Sequence, residues 1–249
     1  MGKRFTRKQL VNSYECLTNY KVSPTSIMNY FQETSQEQSV SLGEGPRELS
    51  GKGLAWFLIK YHIDFLSYPT FGQTVEVITE AKAFKGFIAH RYFAIKDQEG
   101  GLMVEGKTHW MMMNLETDRM MRMEAVPENA VYGVEDDAVT YKIPNLKKMK
   151  DWEGHREFQV RYLDIDFNSH VNHVKYLAWA IEILPPERVL QLEVASVDII
   201  YKKQAFYGDV VDVLYKEVEP NVFRVDIDNQ EGDLLCQLNL VMRENCGDK

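Results

Sequence analysis

Phe71-Gly-Gln-Thr-Val-Glu-Val77 and Tyr207-Gly-Asp-Val-Val-Asp-Val213 are one pattern written twice, at an offset of 136 residues (208 − 72, counted at the glycines). Each sets an aromatic residue and a turn glycine before an alternating apolar segment, the signature of a turn entering a half-buried strand. Asp97-Gln-Glu-Gly100 returns as Asn229-Gln-Glu-Gly232 at an offset of 132 (229 − 97). A helix candidate precedes each set. Ser23-Pro24 opens one, with Pro in a first turn that tolerates it and Ile27, Tyr30, Phe31 and Thr34 on one face. Asn168-Ser-His170 opens the other, followed by Val171, Val174, Leu177, Ala178 and Ile181 and stopped at Pro185-Pro186. Pairing Tyr30 with Tyr176 gives a third offset of 146 (176 − 30). Three landmarks in one order mark a duplication.

After each helix candidate come alternating segments with glycine-containing turns: Thr74 to Lys82, Ile88 to Lys96 and Leu102 to Met113, then Val194 to Tyr201, Val210 to Val218, Val222 to Asp228 and Leu234 to Met242. These predict antiparallel strands. The shrinking offsets predict a longer loop after the first helix, at about Gln36 to Gly53, where Gly, Ser and Glu abound. The fold class is therefore α+β: a long helix wrapped by an antiparallel sheet, twice in tandem. The expected division is 1–127, a linker at 128–154, and 155–249. The linker carries Pro144, an acidic run at Glu135-Asp-Asp137 and a basic group at Lys147, Lys148 and Lys150.

Composition bounds the function. With 45% apolar and 27% charged residues the 249-residue chain reads as soluble and globular. No apolar run is long enough to span a membrane, and the basic N-terminus lacks a signal-peptide core. Cys16, Cys236 and Cys246 are scattered and odd in number, which predicts no disulfide framework, no metal centre and a reducing cytoplasm. A net charge of −8 argues against nucleic acid. There is no Gly-rich phosphate loop and no HExxH, so no cofactor is expected.

The chemistry gathers in Asp166-Phe-Asn168-Ser-His170-Val-Asn172. It packs a carboxylate, a carboxamide and an imidazole at the expected start of the second helix. Such a group can hold a carbonyl and direct a water at it, as ester or thioester hydrolysis requires. His170, with an ordinary pKa near neutrality, is the candidate base, or else a helix-capping histidine. Asp166 fixes the imidazole or polarises the water, or simply caps the helix start. Asn168 donates to an oxyanion, holds the water, or caps. Asn172, expected one turn inside the helix from Asn168, contacts substrate or braces the loop.

Arg161-Tyr-Leu-Asp-Ile-Asp166-Phe-Asn168-Ser-His170-Val-Asn172-His-Val-Lys-Tyr176 and the following Trp179 and Glu182 closely resemble the signature of acyl-ACP thioesterases, D-x-N-x-H-V-N-N followed by Tyr, Trp and an acidic residue. The resemblance covers nearly the whole chain. It implies two tandem hotdog domains and the hydrolysis of fatty acyl-ACP to free fatty acid and holo-ACP. His173 stands where the family has a second Asn. Gln204 and Ala205 stand where it commonly has Glu and, in plants, Cys. The resemblance makes Gln204 a fourth catalytic candidate, bonding His170 or a water. A thiol nucleophile at Ala205 is excluded.

At the offset of 146, Asp166, Asn168 and His170 fall on Tyr20, Val22 and Pro24, so only the second copy carries the chemistry. The first half is then expected to line an acyl slot, with Trp56, Trp110 and Met111-Met-Met113 as lining or core. Tyr176 and Trp179 read as core. The implied partner is an acidic acyl carrier protein, which Lys202 and Lys203, just before Gln204, would meet; the other basic groups are Lys3, Arg4, Arg7 and Lys8, and Lys147 to Lys150. Acyl-CoA hydrolysis and non-catalytic acyl binding are the alternatives. A monomer or a homodimer fits two paired hotdogs.

Overall fold

The computed structural model describes residues 2–134 and 140–245; the acidic run at 135–137 and Cys246 lie outside them. The chain divides into two units, Met1–Ile143 and Pro144–Lys249.

In the first unit a strand β1 (Arg4–Leu10) precedes the helix α1 (Pro24–Ser41) and a short helix α2 (Pro46–Gly51). Strands β2 (Leu54–Phe65), β3 (Thr74–Lys85), β4 (Ile88–Lys96), β5 (Leu102–Asn114) and β6 (Arg119–Met120) follow. All pair antiparallel in the order β1-β3-β4-β5-β2, with β6 on β5. The helix starts as its sequence dictates: Ser23 Oγ accepts from the Ser26 N–H, and Pro24 fills the first turn. Its apolar stripe buries Ile27, Met28 and Phe31 completely. The Phe31 ring lies 4.9 Å from that of Phe93 on β4. Gly106 on β5 makes the room, since a Cβ there would stand 3.1 Å from the Phe31 ring.

The second unit repeats the plan. Strand β7 (Gly154–Gln159) leads to helix α3 (His173–Glu182) and short helix α4 (Pro186–Gln191). Then come β8 (Leu192–Tyr201), β9 (Val210–Glu219), β10 (Val222–Asn229) and β11 (Leu234–Glu244), antiparallel in the order β8-β11-β10-β9-β7. Val174, Tyr176, Leu177, Trp179 and Ala180 form the buried face of α3. Each unit is thus the expected helix wrapped by an antiparallel sheet.

Backbone bonds give the true register of the duplication. An isolated β-bridge joins Cys16 to Val22 in the first copy and Ile165 to Val171 in the second, an offset of 149 (165 − 16). Inside these bridges Tyr20 (φ 60°) and Ser169 (φ 65°) hold the same left-handed turn. The Val22 N–H donates to Pro69 O at 2.9 Å, and the Val171 N–H to Ala205 O at 2.9 Å. The expected offset of 146 is therefore corrected. The counterparts of Asp166, Asn168 and His170 are Leu17, Asn19 and Lys21, not Tyr20, Val22 and Pro24. A slip of three residues nearly closes a helical turn and keeps an apolar stripe on its face, so periodicity alone does not set the register.

Two further expectations are corrected. The predicted loop at 36–53 holds the end of α1 and all of α2. Gln38 reads as loop composition, yet it is buried: its Nε2 donates to Lys3 O and its Oε1 accepts from Arg91 Nη1. Asn168-Ser-His170 does not open α3, because the bridge and the bond to Ala205 hold Val171 in extended backbone. The N-cap is Asn172, whose Oδ1 accepts from the Val174 N–H at 3.1 Å. Asn172 thus lies at the helix start, not one turn inside.

The linking segment is bonded down on both units. Tyr141 lies against His90 and His109 of the first. In the second, the Met149 N–H donates to Asp226 Oδ2 and Lys148 pairs with Asp228, both at 2.8 Å.

Candidate active site

Four backbone hydrogen bonds shape the turn that carries the polar residues. The bridge between Ile165 and Val171 closes its base, and the Asp166 N–H donates to His170 O at 2.8 Å. The Ser169 N–H donates to Asp166 O at 3.0 Å, and the Asn172 N–H to Asp164 O at 2.9 Å. The Val171 N–H reaches Ala205 O and ties the turn to the loop between β8 and β9. That loop is fixed in its own right. The N–H groups of Lys202 and Lys203 converge on Leu235 O at 2.8 and 3.2 Å, and the Ala205 N–H donates to the buried Tyr176 hydroxyl at 3.2 Å.

These bonds bring Asp166, Asn168, His170 and Gln204 onto two adjoining segments. The His170 imidazole is half-buried, with the Phe206 ring tilted against it at a centroid distance of 5.2 Å. The Asp166 carboxylate does not hold this imidazole. It accepts from the Asn168 N–H at 2.8 Å and from Asn168 Nδ2 at 3.4 Å. One amide N–H of Asn168 is thereby committed, and its Oδ1 and second N–H remain to meet a water or an oxyanion. Gln204 is exposed, and its side chain makes no hydrogen bond among the described residues. Asn172 spends its side chain on the helix cap, the bracing role.

His173 differs from His170 in kind. Burial pushes its imidazole down to about 4, so it stays neutral, with the Tyr201 ring edge-on at 6.2 Å. Burial also raises the Cys236 thiol and, helped by Glu15, the Cys16 thiol. Neither has the lowered pKa of a nucleophilic cysteine.

Lys202 and Lys203 are both exposed, and Lys203 pairs with Asp233 at 2.7 Å. Trp56 belongs to another cluster, in the first unit. It stacks on Phe84 at 6.4 Å and packs, with Trp110, against Leu49, Leu54, Ala89, Met112, Met123 and Val126. Met112 is fully buried there, and the Trp110 indole N–H donates to Thr108 Oγ1 at 2.7 Å. No group of three His, Cys, Asp or Glu side chains among the described residues could hold a metal ion.

Sequence reasoning missed Asp164. Its side chain is fully buried at the base of the turn, and it accepts from the Arg161 N–H at 2.9 Å and from Lys175 Nζ at 3.1 Å. The signal was present: Glu15 occupies the same place at the offset of 149 (164 − 15) and accepts from the Asn12 N–H at 2.7 Å.

Comparison with known proteins follows the same division. Residues 2–129 match the acyl-ACP thioesterase N-terminal domain, and residues 147–249 match the C-terminal domain. The chain belongs to the acyl-ACP thioesterase family. A chloroplastic acyl-[acyl-carrier-protein] hydrolase of Cuphea viscosissima is 28% identical over 99% of this chain and 61% of its own length. A chloroplastic oleoyl-acyl carrier protein thioesterase of Arabidopsis thaliana is 27% identical over 86% of this chain and 64% of its own. This thioesterase-family chain thus spans about three-fifths of the curated relatives it matches. Its fold matches the 12:0-ACP thioesterase from Umbellularia californica at a TM-score of 0.86 and 24% identity, over 97% of this chain and 98% of that one. An acyl-ACP thioesterase from Bacteroides thetaiotaomicron superposes at 0.85 with 19% identity, over 96% and 98%. Both share the double hotdog architecture.

Proposed function

We propose that this chain hydrolyses fatty acyl-ACP thioesters in fatty acid biosynthesis, releasing the acid and the carrier thiol. The observation that carries the reading is the Asp166–His170 turn: an imidazole and an amide on one backbone-locked loop, in a chain of this family. His170 takes a proton from water as the water oxygen attacks the thioester carbonyl carbon. The free N–H of Asn168 meets the oxygen that gains charge. The carbon–sulfur bond then breaks, and the imidazolium returns its proton to the leaving thiolate. Asp166 acts through Asn168, holding that amide in place. Gln204, lacking a carboxylate, orients water or substrate instead of serving as a base. The first unit, with its apolar cluster of Trp56, Trp110 and Met112, serves as the acyl-binding half. Lys202 and Lys203 meet the acidic carrier, and the reaction takes place in the cytoplasm, with the two hotdogs acting as a monomer or a homodimer.

Gln204, exposed and without a side-chain hydrogen bond among the described residues, favours a second reading, an acyl-binding protein without turnover. Thiol release from acyl-ACP and acyl-CoA, by the wild-type chain and His170→Ala, separates the readings. Release from acyl-ACP that falls at least about a hundredfold in His170→Ala supports the first. Faster release from acyl-CoA changes the substrate, and no release from either sinks the enzyme.

A further inference from the structure

The geometry points to Asp164 as a positioning residue for this reaction, holding the His170 turn in register through Arg161 and Lys175. The inference rests on the proposed hydrolytic role of that turn.

Asp164 grips the turn at both of its ends. Its backbone carbonyl accepts from the Asn172 N–H at 2.9 Å, where the chain leaves the turn for α3. Its carboxylate, with no exposed surface, accepts from the Arg161 N–H at 2.9 Å and from Arg161 Nε and Nη2 at 3.2 and 3.3 Å, where the chain enters. Lys175 Nζ completes the set at 3.1 Å from the first turn of α3. The segment between these anchors carries Asp166, Asn168 and His170, so the base of the loop fixes where the imidazole stands. Burial alone would raise the Asp164 carboxyl, but the Arg161 and Lys175 bonds outweigh it and hold it below its ordinary range. The carboxylate stays charged and keeps all of its bonds.

The first copy separates what the fold needs from what the chemistry needs. There Glu15 accepts from the Asn12 N–H at 2.7 Å, from Asn12 Nδ2 at 3.0 Å and from the neutral Tyr30 hydroxyl at 2.7 Å. The residue at the Lys175 place is Ser26, which serves the cap of α1. One carboxylate with two neutral side-chain donors, an amide and a phenol, therefore suffices to build the loop when it bears only Leu17, Asn19 and Lys21. The second copy replaces the neutral amide and phenol with two cations, Arg161 in the place of Asn12, and sets Lys175 three residues beyond the N-cap. That added stiffness sits only where a side chain must be aimed. A displacement of about an ångström at a reacting group costs on the order of a hundredfold in rate.

The test compares Asp164→Asn and Lys175→Met with Glu15→Gln, following kcat, KM and melting temperature on acyl-ACP. Asp164→Asn is expected to lower kcat by about 10- to 100-fold with KM within about twofold, and Lys175→Met to lower it in the same sense by less. Glu15→Gln is expected to lose comparable thermal stability while kcat holds. If Asp164→Asn does not fold, Lys175→Met carries the comparison alone. An unchanged kcat in a folded Asp164→Asn or Lys175→Met, or an equal fall in Glu15→Gln, overturns the positioning role while His170-dependent release stands. A wild-type chain without release, or a fully active His170→Ala, overturns the site reading and this inference with it.

Discussion

His90 and His109 stand directly opposite each other on β4 and β5, ring centroids 4.5 Å apart, under a linking segment that packs Tyr141 against both. His109 Nε2 lies 3.0 Å from Tyr141 O, and His90 Nδ1 is buried with no hydrogen-bond partner among the described residues. Burial, then the neighbouring His109 and Lys85, push the His90 imidazole down to about 4. Burial and Lys60 lower His109, against the bond to Tyr141. In the unfolded chain both titrate near 6.5. Between about 6.5 and 4 the unfolded state binds more protons, so stability falls as pH falls through that window and levels off below it. Melting curves from pH 7.5 to 4 should show this loss, and His90→Gln should flatten it. An equal pH slope in the variant would remove His90 from the account.

Tyr141 does more than cover these rings. Its hydroxyl donates to Arg91 O or Thr108 O and accepts from the Thr108 N–H, inserting itself into the β4–β5 ladder. Tyr141→Phe keeps the ring and removes the bridge, leaving backbone groups unsatisfied. The expected cost is roughly 1–3 kcal/mol in a denaturant midpoint experiment. A loss below about 0.5 kcal/mol would mean that water replaces the hydroxyl.

The bond between Asp166 and Asn168 predicts coupling. If Asp166 works by holding the Asn168 amide, Asp166→Ala and Asn168→Ala remove one device, and the double variant should be little worse than either single one. Rates of thiol release in that cycle decide the matter. Fully additive losses would instead give Asp166 a separate task, on the imidazole or on water.

The sheets were legible because alternation survives wherever one face is buried, as from Thr74 to Lys82 and from Val210 to Val218. The outer strands β1 and β7 were not, nor was β2, whose first six residues are all apolar and show no alternation. Arg4, Arg7 and Lys8, or Arg156 and Glu157, are edge residues whose charge masks the strand pattern. The linking segment looked like a polar spacer, because a strap bound through Tyr141 O, Met149 N and Lys148 uses backbone and charge and leaves no apolar period. The site motif was readable as chemistry, but its bonding was not. Asp166 stands two residues from Asn168 and four from His170, and only the left-handed backbone of Ser169 and the pinned Val171 decide which of them it meets. Asp164 was passed over because a carboxylate beside Arg and Lys reads as surface charge until its burial is known.

The basic residues allow a sharper test of carrier docking than their count suggested. Much of the positive charge is already spent within the fold. Arg4 pairs with Glu80 at 3.5 Å, Arg7 with Glu37 at 3.3 Å, and Lys148 with Asp228 at 2.8 Å. Lys203 lies 2.7 Å from Asp233, whereas the exposed side chain of Lys202, one residue earlier on the same loop, makes no ion pair among the described residues. Exposed pairs contribute little to stability, yet they cancel charge locally. With a chain of net charge −8 repelling an acidic partner at long range, an uncompensated lysine beside the site should matter most. Lys202→Glu should therefore raise KM for acyl-ACP by roughly three- to tenfold at low ionic strength and leave a small soluble thioester unchanged. Lys203→Ala should have a smaller effect, since it removes a charge that Asp233 already offsets. The two KM values, measured against rising salt, should converge as screening takes hold. A Lys202→Glu effect of the same size on the small thioester would place that residue in the catalytic opening and not on the carrier's path.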